Sequence, residues 1–253
     1  MFHLVFLRAL VAKGEDKSLI ALKGGCNLRF YFGSIRYSED IDFDVVVIRK
    51  DTLKKRVDGL LASPLVTAPL KGKGIEVVDV TTPKQTDTTQ RWKAGLRVRG
   101  IDMPIRTKIE FSRRTDAASF SGTVFEATER QVLRPYALTP ILATHYGARA
   151  ALIQKIHALA ARAEPQARDV FDLNLLLARE EAEETVLDGR ERAWLDEAIE
   201  HAMAISYAEY TSKVVAYLDP QQAEPFADPD SWDAMQQTVV MRLEQMKAAR
   251  GAG

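Results

Sequence analysis

The chain has 253 residues, of which 46% are hydrophobic and 28% are charged, a balance that is ordinary for a globular protein. Lys and Arg together number 35, as do Asp and Glu, so the net charge of zero excludes nucleic-acid binding that depends on overall charge and leaves only a local basic patch. The single cysteine excludes a disulfide framework, no apolar stretch has transmembrane length and the N-terminus lacks a signal-peptide pattern, so we expect a cytoplasmic protein without a membrane segment.

The first half of the chain mixes helical and strand patterns, with turn residues between them. In chain order we predict a helix over 2–13 that Gly14 ends, an apolar run over 18–22, the pair Gly24-Gly25, a helix-compatible segment over 26–32, a strand over 38–48, a helix over 50–61, a loop marked by Pro64 and Pro69, and strands over 75–80, 95–101 and 105–111. These alternating elements indicate a mixed α/β sheet.

The second half is predicted to be helical after an irregular stretch over 120–134. One long helix is predicted over 141–162, with Thr139 as N-cap and Pro140 in its first turn, and Pro165 separates it from the next helix. Further helices are predicted over 168–179, 180–205 with a break at Gly189, 207–217 and 230–249. We therefore predict an α/β domain over 1–136 and a helical C-terminal domain over 137–253.

Three aspartates alternate with apolar residues in the strand over 38–48. Because successive side chains of a strand point to opposite faces, Asp40, Asp42 and Asp44 share one face. Carboxylates stacked in this way repel one another unless a cation lies among them, and Mg²⁺ prefers such oxygen ligands. The backbone N–H groups of Gly24-Gly25 can approach a phosphate closely because glycine has no side chain. The alternative interpretation is a half-solvated surface strand.

Two further acidic positions extend this hypothesis. Glu110 lies on the polar face of the strand over 105–111 and can complete an oxygen-rich metal site. The alternative is a cross-strand salt bridge that joins Lys108 and Glu110 to the strand carrying Arg97 and Arg99. Ser38 is either a ligand of the γ-phosphate or a strand-start residue that satisfies a backbone N–H.

A second constellation follows on the predicted helices. Asp169 and Asp172 are three residues apart and therefore share one helix face, and Lys155 lies on the preceding helix. Lys155 is suited to a phosphate, and Asp169 could orient Lys155 or accept a proton from an attacking hydroxyl. The alternative is that both acids stabilise a helix N-terminus. We favour a functional role for Asp169 and the helix-terminus role for Asp172.

The stretch KGGCNLRF…RYSEDIDFD resembles the first motif of the AbiEii-type nucleotidyltransferases, toxins of type IV toxin–antitoxin systems in the DNA polymerase β superfamily. The pattern that runs from Lys155 to Arg168-Asp169-x-x-Asp172-Leu173 resembles the later motifs, so the resemblance covers roughly residues 20 to 180. It implies a polymerase β-like mixed sheet followed by a helical lobe. It also implies transfer of a nucleoside monophosphate from an NTP to a hydroxyl acceptor, the 3′ end of tRNA.

The residues that match these motifs give the expected site. We expect catalysis by Asp40, Asp42, Lys155 and Asp169, nucleotide binding by Gly24, Gly25, Arg36, Ser38 and Lys155, and Mg²⁺ or Mn²⁺ binding by Asp40, Asp42 and Glu110. The resemblance further implies a cognate antitoxin, either a winged-helix DNA-binding protein or a related gene-regulatory partner. An NTP-binding regulatory module, or a kinase-like or phosphohydrolase use of the same site, is the alternative function.

Basic residues are concentrated in the predicted strands and the segment after them, and two interpretations of them stay open. They provide a surface that contacts nucleic-acid phosphates, or they form a salt-bridged sheet face. The residues concerned are Arg91, Lys93, Arg97, Arg99, Arg106, Arg113 and Arg114.

Overall fold

The computed structural model describes residues 1–12, 17–115 and 120–249. The chain divides into two compact units. The first unit comprises Met1–Gly33 and Ser38–Tyr146, and the second comprises Ser34–Tyr37 and the chain from Gly147 onward. The predicted helix stop at Gly14 lies outside the described residues. The predicted domain boundary between residues 136 and 137 stays a prediction.

The first unit contains one mixed sheet and the helices that accompany it. Its helices are α1 (Phe2–Ala12), α2 (Gly24–Tyr31), α3 (Lys50–Ala62), α4 (Pro64–Lys71) and α5 (Arg130–Leu133). Its strands are β1 (Ile20–Lys23), β2 (Asp40–Val45), β3 (Ile75–Gln85), β4 (Thr89–Val98), β5 (Ile105–Arg113), β6 (Thr123–Ala127) and β7 (Leu142–Tyr146). The seven strands in the described part of the chain are ordered β3-β4-β5-β2-β1-β7-β6. Pairs β2–β5 and β1–β7 are parallel and the other neighbours are antiparallel, so the predicted mixed sheet is confirmed.

One face of this sheet forms the apolar core. Phe43 of β2 stacks on Phe111 of β5 with ring centroids 4.8 Å apart, and Trp92 of β4 meets Phe111 edge-on. Phe6 of α1 packs against Phe43, and all four aromatic side chains are buried. Because strand side chains alternate between faces, this packing places the acids of β2 on the opposite face of the sheet.

Two predictions around the sheet are wrong. Residues 142–146, predicted as the start of a long helix, form strand β7 between β1 and β6, and the helix begins only at Ala148. All but the first residue of β7 are buried, so the strand shows no alternation between polar and apolar residues. The loop predicted at Pro64 and Pro69 is helix α4: Pro64 is at the first helical position, where proline loses no internal hydrogen bond, and the helix continues through Pro69.

Smaller differences concern the ends of elements. β3 extends to Gln85, β4 begins at Thr89, and the stretch predicted to be irregular contains β6 and α5. β3 and β4 are longer than predicted because they pair with each other along a hairpin whose outer part is polar.

The second unit is helical, as predicted for the C-terminal lobe. Its helices are α6 (Ala148–Ala161), α7 (Ala167–Leu177), α8 (Glu180–Glu183), α9 (Gly189–Arg192), α10 (Leu195–Ala204), α11 (Tyr207–Lys213) and α12 (Pro229–Ala248). Tyr210 of α11 stacks on Trp232 of α12 with ring centroids 4.3 Å apart in the core of this unit. Among the residues that the structure describes, no helix is long and apolar enough to span a membrane.

Candidate active site

Strand β2 brings the predicted carboxylates together near the middle of the sheet. It lies between β1, where Lys23 is opposite Asp42, and β5, where Glu110 is opposite Asp42 in the parallel register. Asp40 is opposite Lys108 of β5 in the same register. The strand order therefore places Asp40 and Asp42 on the same face of the sheet as Glu110, which lies far from them in the chain.

The ammonium of Lys108 lies among these three carboxylates. Its Nζ is 3.2 Å from Asp40 Oδ2, 4.0 Å from Asp42 Oδ1 and 3.8 Å from Glu110 Oε2. Glu110 also accepts a hydrogen bond from Arg91 Nε of β4 at 2.6 Å. The salt bridge considered from the sequence joined Lys108 and Glu110 to the strand carrying Arg97 and Arg99. In the structure Arg91 of that strand contacts Glu110, and the Lys108 ammonium contacts all three acids.

Asp42 is partly buried beside both positive and negative neighbours. Burial raises the pKa of the Asp42 carboxyl above its ordinary value, Lys108 and Lys23 oppose this effect, and the negative charges of Asp40 and Glu110 add to it. A carboxylate in this condition gains from any additional positive charge that comes close to it.

Gly24 lies directly against Asp42 at the start of helix α2. Its φ of +71° is in the left-handed region, and a Cβ at this position would be 3.2 Å from Asp42 Oδ2. Lys23, the N-cap of α2, makes no side-chain cap hydrogen bond to the first turn. Only glycine suits both the backbone conformation and the close approach, and it leaves first-turn N–H groups next to the carboxylates.

Asp44, the third aspartate on this face, is held by protein partners. Its side chain is 1% exposed and forms ion pairs with Lys23 Nζ at 2.6 Å and Arg114 Nε at 3.0 Å. Tyr146 of β7 donates its hydroxyl to Asp44 Oδ2 at 2.7 Å. The period of two along β2 identified the shared face but could not separate Asp44 from its neighbours, because Tyr146 belongs to a strand that was predicted as helix.

The chemistry of Asp40, Asp42 and Glu110 fits a hard divalent cation. All three supply carboxylate oxygens, and all three already accept the positive charge of Lys108. As arranged here, no group of three or more His, Cys, Asp or Glu side chains within residues 1–12, 17–115 and 120–249 is set to hold a metal ion.

The second predicted constellation lies entirely in the second unit. Lys155 of α6 donates to Asp169 Oδ1 at 2.8 Å and is 2.6 Å from Asp172 Oδ2, both on α7. Arg36 makes a two-point contact with Asp172, with Nη2 2.9 Å from Oδ2 and Nε 3.2 Å from Oδ1. Arg162 Nε lies 2.9 Å from Asp169 Oδ2. We call these five residues the Lys155 network.

Within the Lys155 network, Lys155 and Asp169 are largely buried and each favours the charged form of the other. Burial alone would lower the pKa of Lys155, but the attraction of Asp169 and Asp172 raises it above the ordinary value. Burial alone would raise the pKa of Asp169, but Lys155 and Arg162 lower it. Asp169 and Lys155 are thus in direct contact, and the role of Asp169 in orienting Lys155 stays a prediction.

The helix-terminus role favoured for Asp172 is wrong. Helix α7 begins at Ala167, so its first turn contains Asp169 and not Asp172. Asp172 has no exposed surface and spans Lys155 and Arg36. The spacing of three residues indicated that Asp169 and Asp172 share one helix face, and both reach the same ammonium. The spacing did not identify Arg36 as the second partner of Asp172.

The segment that carries Arg36 is fixed by backbone hydrogen bonds within the second unit. Tyr37 N donates to Tyr217 O at 2.7 Å, and Asp219 N donates to Ile35 O at 3.0 Å. Ser38, which begins the return to the first unit, donates its hydroxyl to the backbone carbonyl of Asp40 at 2.8 Å. The predicted roles of Arg36 and Ser38 in nucleotide binding stay predictions.

The basic residues of the sheet are largely paired with acids or polar groups. Arg97 contacts Glu76 at 2.9 Å and Arg106 contacts Asp79 at 2.6 Å. Arg91 and Arg114 contact Glu110 and Asp44 as described above, and Arg113 donates to Gln90 Oε1. This arrangement corresponds to the salt-bridged sheet face that was one of the two open interpretations.

Comparison with solved structures relates this fold to nucleotidyltransferases. JHP933 from Helicobacter pylori is 20% identical with a TM-score of 0.57, and the match covers 98% of this chain and 92% of that one. A putative nucleotidyltransferase from H. pylori is also 20% identical with a TM-score of 0.57, covering 97% and 94%. The nucleotidyltransferase toxin MenT4 from Mycobacterium tuberculosis H37Rv is 17% identical with a TM-score of 0.56, covering 97% and 90%. The chain thus has the fold of a nucleotidyltransferase toxin.

The family follows from the sequence itself. The family model described as "Nucleotidyl transferase AbiEii toxin, Type IV TA system" matches residues 5–250. Since this match spans nearly the whole chain, the protein belongs to the AbiEii family of nucleotidyltransferase toxins, and the resemblance seen in its motifs is confirmed. A search of curated proteins finds no match to the chain.

Proposed function

We propose that this protein transfers a nucleoside monophosphate from an NTP to a hydroxyl acceptor, with the 3′ end of tRNA as the acceptor. The observation that carries this proposal is the convergence of Asp40, Asp42 and Glu110 beside the glycine that begins helix α2. A phosphate-binding helix start next to a cation-attracting cluster is what phosphoryl transfer requires, because that chemistry depends on positioning and charge neutralisation.

The nucleotide is proposed to bind with its phosphates over Gly24 and Gly25. The first-turn N–H groups of α2 would donate to phosphate oxygens, which the missing side chains allow to come close. The acceptor hydroxyl oxygen then attacks the α-phosphorus and its proton passes to water, while the bond between the α-phosphorus and the bridging oxygen of the β-phosphate breaks. The products are the nucleotidylated acceptor and pyrophosphate.

Asp40, Asp42 and Glu110 are the proposed ligands of a Mg²⁺ or Mn²⁺ ion. When bound, such an ion supplies positive charge that offsets the charge of the phosphates. The residues themselves provide the oxygen donors, and Gly24 keeps Asp42 close to the helix start.

Lys155 and Asp169 are proposed to act in nucleotide transfer, as the motif resemblance implies. The Lys155 ammonium lies 2.8 Å from Asp169 and 2.6 Å from Asp172, so its charge is already shared with these two carboxylates. Because both carboxylates already share its charge, Lys155 acts together with its acidic partners, and Arg36 holds Asp172 in place for it. Removing any member is therefore expected to disturb the others.

Three other uses of the same residues predict different products. A kinase-like enzyme would move the γ-phosphate, a phosphohydrolase would release phosphate, and a regulatory module would bind the NTP and leave it unchanged. An antitoxin is implied by membership of the family, and a gene-regulatory DNA-binding protein is the proposed kind of partner.

The test uses the full chain, total tRNA and each NTP labelled in turn at the α- and at the γ-phosphate. Asp42→Asn removes one proposed metal ligand, and Asp79→Asn is the matched control because Asp79 lies on β3 and pairs with Arg106 instead. We expect α-label on RNA with the wild type and with Asp79→Asn, and none with Asp42→Asn. Transfer of γ-label to RNA or protein, release of inorganic phosphate from the NTP, or an unchanged NTP would each contradict the proposal.

A further inference from the structure

Lys108 is placed where a bound cation would be. Its ammonium contacts one oxygen of each proposed metal ligand, at 3.2 Å for Asp40, 3.8 Å for Glu110 and 4.0 Å for Asp42. Strand β5 fixes its backbone next to these acids, since Lys108 is opposite Asp40 and Glu110 is opposite Asp42. Lys108 and the metal ion therefore require the same carboxylates.

We propose that Lys108 is an internal counter-cation that holds Asp40, Asp42 and Glu110 together before metal binding and competes with the divalent ion for them. This inference rests on the proposed function, because it assumes that these carboxylates bind the metal. Lys108 is then a positioning residue whose main effect is to set how tightly the metal binds.

The charges in contact with one another support this role. Three ionised carboxylates beside the two cations Lys108 and Arg91 leave a net charge near −1, which is less than a divalent ion needs for neutrality. Withdrawal of the Lys108 ammonium leaves a charge near −2, which a divalent ion balances. The competition therefore follows from charge, without any assumption about the path of metal entry.

The Lys108 side chain is suited to withdrawal and the Arg91 side chain is not. Both side chains are partly exposed, 27% for Lys108 and 33% for Arg91, but Lys108 ends in a compact ammonium on a flexible stem and its contacts are 3.2–4.0 Å long, so it can turn toward water. Arg91 is tied to Glu110 by a short hydrogen bond of 2.6 Å from a planar guanidinium. Lys108 is consequently the cation that yields to the metal.

The experiment measures Mn²⁺ binding to the full chain by electron paramagnetic resonance of free Mn²⁺, with no nucleotide present. Lys108→Gln removes the competing charge, and Lys93→Gln is the matched control. Lys93 is exposed and lies directly opposite Lys108 on β4, so its loss changes the local potential without freeing a carboxylate. We expect Lys108→Gln to bind Mn²⁺ about tenfold more tightly than the wild type, and Lys93→Gln to bind less than about twofold more tightly.

Two further variants, Lys108→Arg and Asp42→Asn, separate failure of the role of Lys108 from failure of the proposed metal site. Lys108→Arg keeps the charge on a side chain that withdraws less readily, so it should bind Mn²⁺ no more tightly than the wild type, which guards against an effect of lost packing in Lys108→Gln. Unchanged or weaker binding by Lys108→Gln overturns the role of Lys108 if Asp42→Asn still abolishes binding. If the wild type does not bind Mn²⁺, or Asp42→Asn binds it as the wild type does, the proposed metal site itself fails.

Discussion

Replacing Asp172 with Asn tests whether the Lys155 network holds the second unit together. The sequence favoured an acid near a helix N-terminus, a role worth about 0.3–1 kcal/mol. The structure instead gives a buried carboxylate shared by Lys155 and Arg36, and removing one partner of such a group costs about 3–5 kcal/mol because a charge is left buried without compensation. The two accounts therefore differ by several-fold in energy.

The lower part of this range is the expected one. Lys155 keeps Asp169 after the change, and the Asn side-chain oxygen can still accept one hydrogen bond from Arg36. Arg36, with only 7% of its side chain exposed, loses its second carboxylate contact and its ion pair. We expect the free energy of unfolding to fall by about 3 kcal/mol.

Urea titration followed by far-UV circular dichroism at a helix-sensitive wavelength suits this measurement, because the second unit is helical. Asp230→Asn is the matched control, since Asp230 is an exposed acid in the first turn of α12 and occupies the position that the sequence favoured for Asp172. A loss below about 1 kcal/mol for Asp172→Asn, similar to that of Asp230→Asn, would refute the buried-network account.

Two further predictions follow from single residues. Gly24→Ala should lower the free energy of unfolding by about 1–2 kcal/mol because of the positive φ of Gly24, and it should reduce Mn²⁺ binding by displacing Asp42. The control Gly59→Ala lies in helix α3 with open space around it and should be neutral or stabilising. Equal effects of the two changes in urea titration would contradict this prediction. The lowered pKa of Asp169 means that its contribution to stability is full above its ordinary value of 3.8 and is lost as pH falls through the lower pKa of the folded state. The free energy of unfolding of Asp169→Asn should therefore depend less steeply on pH in this acidic range than that of the wild type. An unchanged dependence on pH would refute the stabilisation of the Asp169 carboxylate by Lys155 and Arg162.

The strands that carry the site could be predicted because their two faces have different environments. In β2 and β5 the buried face is apolar and the other is charged, so the sequence alternates with the period of a strand. β7 is buried along all but its first residue, and its composition resembles the helix that follows it, so no local pattern marked it as a strand. Its position depends on pairing with β1 and β6, which are distant in the chain.

The partners within the site depended on the same distant pairing. The period of two predicted that Asp40, Asp42 and Asp44 share a face, and the strand with Glu110 was predicted to be their neighbour. The contact of Lys108 with all three proposed ligands required the parallel register of β2 and β5, in which Asp42 is opposite Glu110. Sequence spacing does not determine that register.

The difference between Asp42 and Asp44 leads to a prediction in which stability and metal binding separate. Asp44 is fully buried with Lys23, Arg114 and Tyr146 as partners, so Asp44→Asn should destabilise the first unit by about 3 kcal/mol, because cations remain without their carboxylate. The raised pKa of Asp42 means that the folded state holds its proton more tightly than the unfolded state, so its ionised form opposes folding at neutral pH.

Asp42→Asn should therefore leave the free energy of unfolding unchanged or higher, while it abolishes Mn²⁺ binding. Asp44→Asn should retain Mn²⁺ binding wherever it remains folded, because Asp40, Asp42 and Glu110 are intact. Urea titration and Mn²⁺ titration of both variants give four measurements: Asp42→Asn should lose metal binding without losing stability, and Asp44→Asn should lose stability without losing metal binding. If Asp42→Asn destabilises as much as Asp44→Asn, the two aspartates serve the same structural purpose, and the assignment of Asp42 as a metal ligand is wrong.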